Sequence, residues 1–244
     1  MKEERFTLGG IPAVLFGDES DRVCLFVHGQ GGSKEEAAAF AETACPAGYQ
    51  VLGIDLPEHG KRQESAEKLD PWTVVPELNY VMDYLEKGWD MISLRANSVG
   101  AWMSMQAFTD RPVEQALFVS PVVDMEKLIV SMMGWANVTG EELERRGEIP
   151  TDFGQTLSWK YLRYVREHPL RWNKLTQILY AGHDNMTDRD TIDTFCEKSG
   201  AGLTVMENGE HWFHTPEQLT ALKKWEYENL DKTSNRRIIG HSNK

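Results

Sequence analysis

The stretch Met91-Ile-Ser-Leu-Arg-Ala-Asn-Ser-Val-Gly100 decides how the chain folds. Residues 91–95 read as a short buried strand, and residues 98–108 read as a helix. Between them, Ala96-Asn97-Ser98-Val99-Gly100 leaves the chain almost no length in which to turn. A serine at such a bend is lifted off the end of the sheet with its hydroxyl exposed. The first amides of the following helix lie behind it, ready to stabilise negative charge. Small residues suit the tight backbone, and Gly100 allows helix and strand to approach.

Outward from that bend, apolar runs recur at 23–27, 50–54, 115–119, 177–180 and 203–206. Continuous apolar runs of this length suit parallel strands covered on both faces. Residues 5–8 and 11–16 flank Gly9-Gly10 and predict an opening antiparallel hairpin. Helical stretches fall between the strands. Residues 34–43 follow Ser33 as a candidate N-cap, and residues 71–87 carry apolar side chains at helical spacing before Gly88. Thr187 is expected to cap a further helix, with Asp190 reaching back. Thr215-Pro-Glu-Gln218 predicts another capped start. The alternation predicts one α/β domain over 1–244, its mostly parallel sheet doubly wound by helices.

Residues 124–173 interrupt that rhythm, being too long for a simple crossover. They are rich in Met, Trp and Tyr and predict an inserted helical lid, whose aromatic residues serve either its own packing or an apolar substrate. The polar tail at 231–244 is expected to be frayed.

The net charge of −12 disfavours a nucleic-acid partner, since phosphate repels an acidic surface. Three cysteines in no framework spacing suggest neither disulfide scaffold nor zinc site. The start MKEERFTLGG lacks an apolar signal core, and no stretch is long enough to span a bilayer, so a cytoplasmic location is the expectation.

Two further loops follow strands. His28-Gly29-Gln30-Gly31-Gly32-Ser33 is glycine-rich but lacks the dinucleotide spacing and the Lys-Ser/Thr ending of phosphate loops. Asp55-Leu-Pro-Glu-His59-Gly60 follows residues 50–54. Together with the bend at Ser98, these motifs give the chain a resemblance to the α/β-hydrolase superfamily over residues 6–230. The bend departs from the G-x-S-x-G elbow of that superfamily only at Ala96.

The resemblance implies Ser98 as nucleophile and the backbone amides of Gln30 and Val99 as an oxyanion hole. It also implies the order serine, acid, histidine along the chain. Asp184, after the strand at 177–180, falls at the acid position, with Asp124 as the spare; Asp188 and Asp190 suit helix capping. His211 follows the last strand in Gly209-Glu210-His211, with His214 three residues on. His28, Asp55 and His59 are read as loop-fixing residues, and Trp102 as core. Trp212 and Phe213 either pack under the histidine loop or face a pocket.

The implied activity is hydrolysis of a small or medium carboxylic ester through an acyl-enzyme, with no metal or organic cofactor. Thioester or amide cleavage and acyl transfer are variants of the same site. A binding protein that has lost catalysis is the alternative of another class. A serine at the bend argues against dehalogenation, which uses a carboxylate there.

Overall fold

In a computed structural model, which describes residues 1–230, the chain opens with β1 (Glu3–Leu8) and β2 (Ile11–Phe16), paired antiparallel. Then come β3 (Arg22–Val27), α1 (Ala37–Ala44), β4 (Gln50–Ile54) and α2 (Pro71–Gly88). The centre is β5 (Met91–Asn97), α3 (Ser98–Phe108) and β6 (Gln115–Val119). The expected tail at 231–244 lies outside the described residues.

The segment 124–173, between β6 and β9, is not purely helical. It holds α4 (Met125–Trp135), α5 (Gly140–Arg146), a small antiparallel ribbon of β7 (Glu148–Pro150) and β8 (Thr156–Ser158), and α6 (Trp159–Glu167). The chain returns through β9 (Thr176–His183), α7 (Arg189–Ser199), β10 (Gly202–Glu210) and α8 (Pro216–Leu230).

The main sheet has eight strands in the order β1-β2-β4-β3-β5-β6-β9-β10. From β4 to β10 every pairing is parallel. The sheet is covered on both faces, which explains the unbroken apolar strands. On one face, α1 and α8 cover Phe16, Phe26, Leu117 and Leu179, with Phe40, Tyr49 and Trp225 filling the layer. On the other, α2, α3 and the segment 124–173 cover Leu25, Leu52, Leu94 and Phe118. Helix α3 is enclosed nearly all round, and Trp102 is core as expected.

Caps explain several element boundaries. The stretch expected as one helix from residue 34 begins as a 3₁₀ turn, Lys34–Glu36, and only then becomes α1. Ser33 and Glu36 form a reciprocal capping box at its start. Thr215 and Gln218 do the same for α8. Thr187, in contrast, is not the cap of α7. Asp188 fills that role by accepting from the Thr191 amide, while Thr187 is buried and donates its hydroxyl to the Pro121 carbonyl. Among the described residues no helix is long and apolar enough to cross a membrane.

Arg95 is the buried charge among the strands. Its side chain lies on the α1/α8 face, 2% exposed, and Nε donates to Glu226 of α8 at 2.8 Å. Burial pushes the Glu226 carboxyl up, and the guanidinium opposes that shift. Removing one partner of such a pair strands a buried charge, which typically costs about 3–5 kcal/mol. Glu226→Ala is therefore expected to lower the unfolding free energy by about that amount in urea titrations. Arg95→Met combined with Glu226→Leu should recover most of the loss.

Candidate active site

Strand β5 runs two residues further than its apolar stretch suggests, so Ala96 and Asn97 belong to it. Ala96 is fully buried in register with Val27 and Phe118, which explains why a methyl group is tolerated where the elbow motif has glycine. The next residue, Ser98, has φ 47°, a left-handed conformation rare outside glycine. Such strain persists only where the surroundings over-determine it. Gly100 supplies the fit: a Cβ there would lie 2.2 Å from the His28 carbonyl oxygen.

Ser98 Oγ lies 2.8 Å from His211 Nε2, and His211 Nδ1 lies 2.8 Å from Asp184 Oδ2. The fold thus joins residues 98, 184 and 211 in one Ser–His–Asp triad. The carboxylate accepts from Nδ1–H, so Nε2 is left to accept the serine proton. The Asp184 side chain is fully buried, and its other oxygen, Oδ1, accepts the amides of Met186 at 2.8 Å and Thr187 at 3.0 Å. His211 keeps a partly open face, at 19% side-chain exposure. It is presented by a shift in the register of β10 between Met206 and Glu210. Gly182 permits the close crossing of β9 and β10 there, because a Cβ would sit 2.2 Å from the Glu207 carbonyl oxygen.

The spare candidates are engaged elsewhere. Asp124 caps α4 by accepting from the Lys127 amide at 2.9 Å. Asp188 caps α7 and pairs with Lys127, which holds its carboxyl down at about 2. His214 stacks on Trp212, and its Nδ1 lies 2.8 Å from the Trp212 carbonyl.

The glycine-rich loop rests against the elbow. A Cβ on Gly29 would lie 3.1 Å from the Ser98 Cβ. The Val99 amide is in the first turn of α3, where N–H groups have no intrahelical acceptor. Gln30 is exposed, and among the described residues no protein group accepts its amide. His28 is fully buried, and its Nε2 accepts from the Leu56 amide at 3.0 Å. Asp55 is also buried and accepts both the Lys34 amide and the Lys34 ammonium.

Sequence reasoning passed over a polar chain beneath the elbow. Arg95 Nη1 donates to Asn97 Oδ1, and Asn97 Nδ2 donates weakly to Glu36 Oε2 at 3.4 Å. Glu36 Oε1 in turn accepts the Ser33 amide at 3.2 Å. The available signal was Arg95 itself, a charge inside an apolar strand, which must have a partner.

Apolar side chains flank the triad. Trp212, next to His211, is 75% exposed, and Met186, two residues past Asp184, is 40% exposed. Phe213 packs into the core beneath. Most aromatics of the segment 124–173 serve packing. Trp172 meets Phe118, and Tyr161 lies between Trp72 and Trp102. Trp135 and Phe153 instead form an exposed edge-to-face pair. A cleft of about 520 Å³ lined by Gly17, Cys45 and Tyr49 shares no residue with the triad, so the site is located by its chemistry rather than by volume.

The sheet order and the triad define an α/β-hydrolase fold with a serine-hydrolase constellation. Solved structures of that fold align over nearly the whole chain. An α/β-hydrolase domain-containing protein 10 from mouse aligns at a TM-score of 0.74 and 13% identity, covering 95% of this chain and 99% of that one. Est1E from Butyrivibrio proteoclasticus, seen with bound ferulic acid, aligns at 0.70 and 18% identity, covering 93% and 97%. The thioesterase domain of a curacin biosynthetic pathway aligns at 0.59 and 18% identity, covering 93% and 99%. No family model and no curated protein matches the sequence.

Burial lowers the His28 imidazole from 6.5 to about 4. Between those values the unfolded chain binds a proton that the folded protein does not. The stability from this group is complete above pH 6.5 and is lost as pH falls toward 4. It amounts to about 3 kcal/mol. Urea titrations from pH 7 to 4 should show that decline, and His28→Gln should flatten the slope.

Proposed function

We propose that the protein is a serine hydrolase that cleaves a carboxylic ester, or a related acyl bond, of a small or medium substrate. The observation that carries this reading is the unbroken hydrogen-bond line from Ser98 through His211 to the buried side chain of Asp184, starting at a strained elbow.

Ser98 Oγ attacks the acyl carbon while His211 Nε2 takes its proton. Asp184 holds the imidazole in the needed tautomer and stabilises the imidazolium. The Gln30 and Val99 amides receive the negative charge on the former carbonyl oxygen. One such donor typically contributes about 3 kcal/mol to lowering the barrier. Collapse of the tetrahedral species expels the alcohol, which takes the proton from His211. Water, deprotonated by the same histidine, then attacks the acyl-enzyme and releases the acid.

Exposed Trp212 and Met186 support an apolar acyl or alcohol group at the rim. Residues 124–173 are assigned as a lid, with Trp135 and Phe153 as its exposed apolar pair. The three free thiols support a reducing compartment, the cytoplasm.

A fluorophosphonate should label Ser98 in the wild type and leave Ser98→Ala unlabelled but folded. Hydrolysis retained by that variant would remove Ser98 from the mechanism. Asp184→Asn should cut kcat by about 10³–10⁴-fold, because the imidazole is then offered in the wrong tautomer. A panel of p-nitrophenyl esters, acyl thioesters and anilides separates ester from thioester and amide preference, with faster ester turnover expected.

A further inference from the structure

The oxyanion-side loop and the loop after β4 are braced by two histidines in reciprocal fashion. His28, at the end of β3, accepts the Leu56 amide through Nε2 at 3.0 Å. His59, from the other loop, accepts the Gly31 amide through Nε2 at 2.9 Å. Each ring directs Nδ1 at a nearby carbonyl on its own loop, Gly29 O at 2.8 Å and Pro57 O at 2.7 Å. Both rings are therefore neutral Nδ1–H tautomers. Both are buried, with centroids 5.1 Å apart.

The bond to Gly31 falls at a sensitive point. Gly32 N donates to Gly29 O at 3.2 Å, closing a four-residue turn over 29–32. Gly31 has φ 76°, and Gln30 is not among the residues with positive φ. That combination is a type II turn. Type I and type II turns differ by a flip of the central peptide, here the one joining Gln30 to Gly31. In a glycine-rich loop, little in the backbone itself forbids that flip. An acceptor fixed opposite the Gly31 N–H does.

We propose that His59 is a positioning residue for the oxyanion hole: its neutral imidazole, by holding the Gly31 N–H, locks the turn that presents the Gln30 amide to the substrate oxygen. The proposal rests on the reading of Ser98 as nucleophile. His59 touches neither substrate nor triad. Its effect reaches the reaction through the turn as a whole: the peptide it holds carries the Gly31 N–H, and the Gln30 N–H lies in the adjoining Gly29–Gln30 peptide, whose oxygen accepts from the Gly32 amide. Loss of the lock should therefore lower kcat and leave KM nearly unchanged, since the oxyanion forms only after binding.

Two substitutions separate the halves of the ring. His59→Asn keeps a donor near Pro57 O but is too short to reach Gly31. His59→Gln extends an amide oxygen to the place of Nε2. Turnover of a p-nitrophenyl ester is read per fluorophosphonate-labelled site, so that only folded molecules count. The expected result is a fall in kcat of about 100-fold for the Asn variant, comparable to losing an oxyanion donor, with KM within about threefold. The Gln variant should return to within about tenfold of wild type. Equal kcat in the two variants, or an Asn variant matching wild type, overturns the proposal.

The ¹⁵N spectrum of the wild-type histidines gives a test that needs no variant. A protonated Nε2 on His59 at neutral pH overturns the lock, and an unprotonated Nε2 coupled to the Gly31 amide supports it. Failure of fluorophosphonate to label wild-type Ser98 would instead sink the hydrolase reading itself.

Discussion

Between Gly100 and the His28 carbonyl oxygen there is no room for a side chain: a Cβ would come within 2.2 Å of that oxygen. The approach brings the first turn of α3 hard against the end of β3, and two consequences follow. The chain must reverse within one residue, so Ser98 takes φ 47° and its hydroxyl leaves the sheet. The loop leaving β3 is brought against the same residue, with Gly29 at Ser98. Ser98 and the glycine-rich loop are thus one packed unit. Strain at the elbow is tolerated because β5 is paired on both sides and α3 is enclosed, which leaves no softer conformation open.

The polar groups buried around that unit are arranged to specify position rather than to add stability. A buried ion pair such as Arg95–Glu226 roughly breaks even against apolar residues of the same shape. It does, however, fix the direction of the guanidinium, and Arg95 passes that direction to Asn97, the residue preceding the nucleophile. Asn97 and Ser33 then share Glu36, so the elbow and the end of the glycine-rich loop meet at one carboxyl. Burial pushes that carboxyl up from its ordinary value. On the opposite edge, Asp55 gathers Lys34 and the Lys61 amide. The loop is held from both sides, and on the Asp55 side neither Asp55 nor Lys34 can be removed singly without leaving an unsatisfied buried partner.

Apolar runs and turn residues made the sheet legible, because strands covered on both faces carry their burial in their composition. The limits of those strands were less legible. β10 continues through Glu207-Asn-Gly-Glu210, where pairing with β9 resumes at His183 after a shift in register. No hydropathy pattern records a backbone pairing of that kind. The ribbon β7–β8 is three residues a side, too short for a periodicity. The capping residue of α7 was misplaced by one because Thr187 and Asp188 have the same local chemistry. Only the burial of Thr187 against Pro121 decides between them. Arg95 announced that it needed a partner, but nothing local pointed to Glu226, 131 residues away. His59 was legible as a loop-fixing residue, yet the loop it fixes belongs to another strand.

The choice among candidate acids and bases turns on what each competing side chain already does. A carboxylate can orient an imidazole only if its own direction is set by something else. At Asp184 that something is backbone: Oδ1 is occupied by the Met186 and Thr187 amides, which leaves Oδ2 aimed at His211. Thr187 is itself tied down twice, by its hydroxyl to Pro121 and by its carbonyl to the Tyr180 hydroxyl. The line of fixation therefore runs from β9 and the loop after β6 into the acid, and from the acid into the base. Asp124 and His214 lack such a line, since the first is occupied with a helix start and the second with its neighbour Trp212. The direction of the proton path at Ser98 is thus set by amides in the loop after β9, well before the histidine is reached.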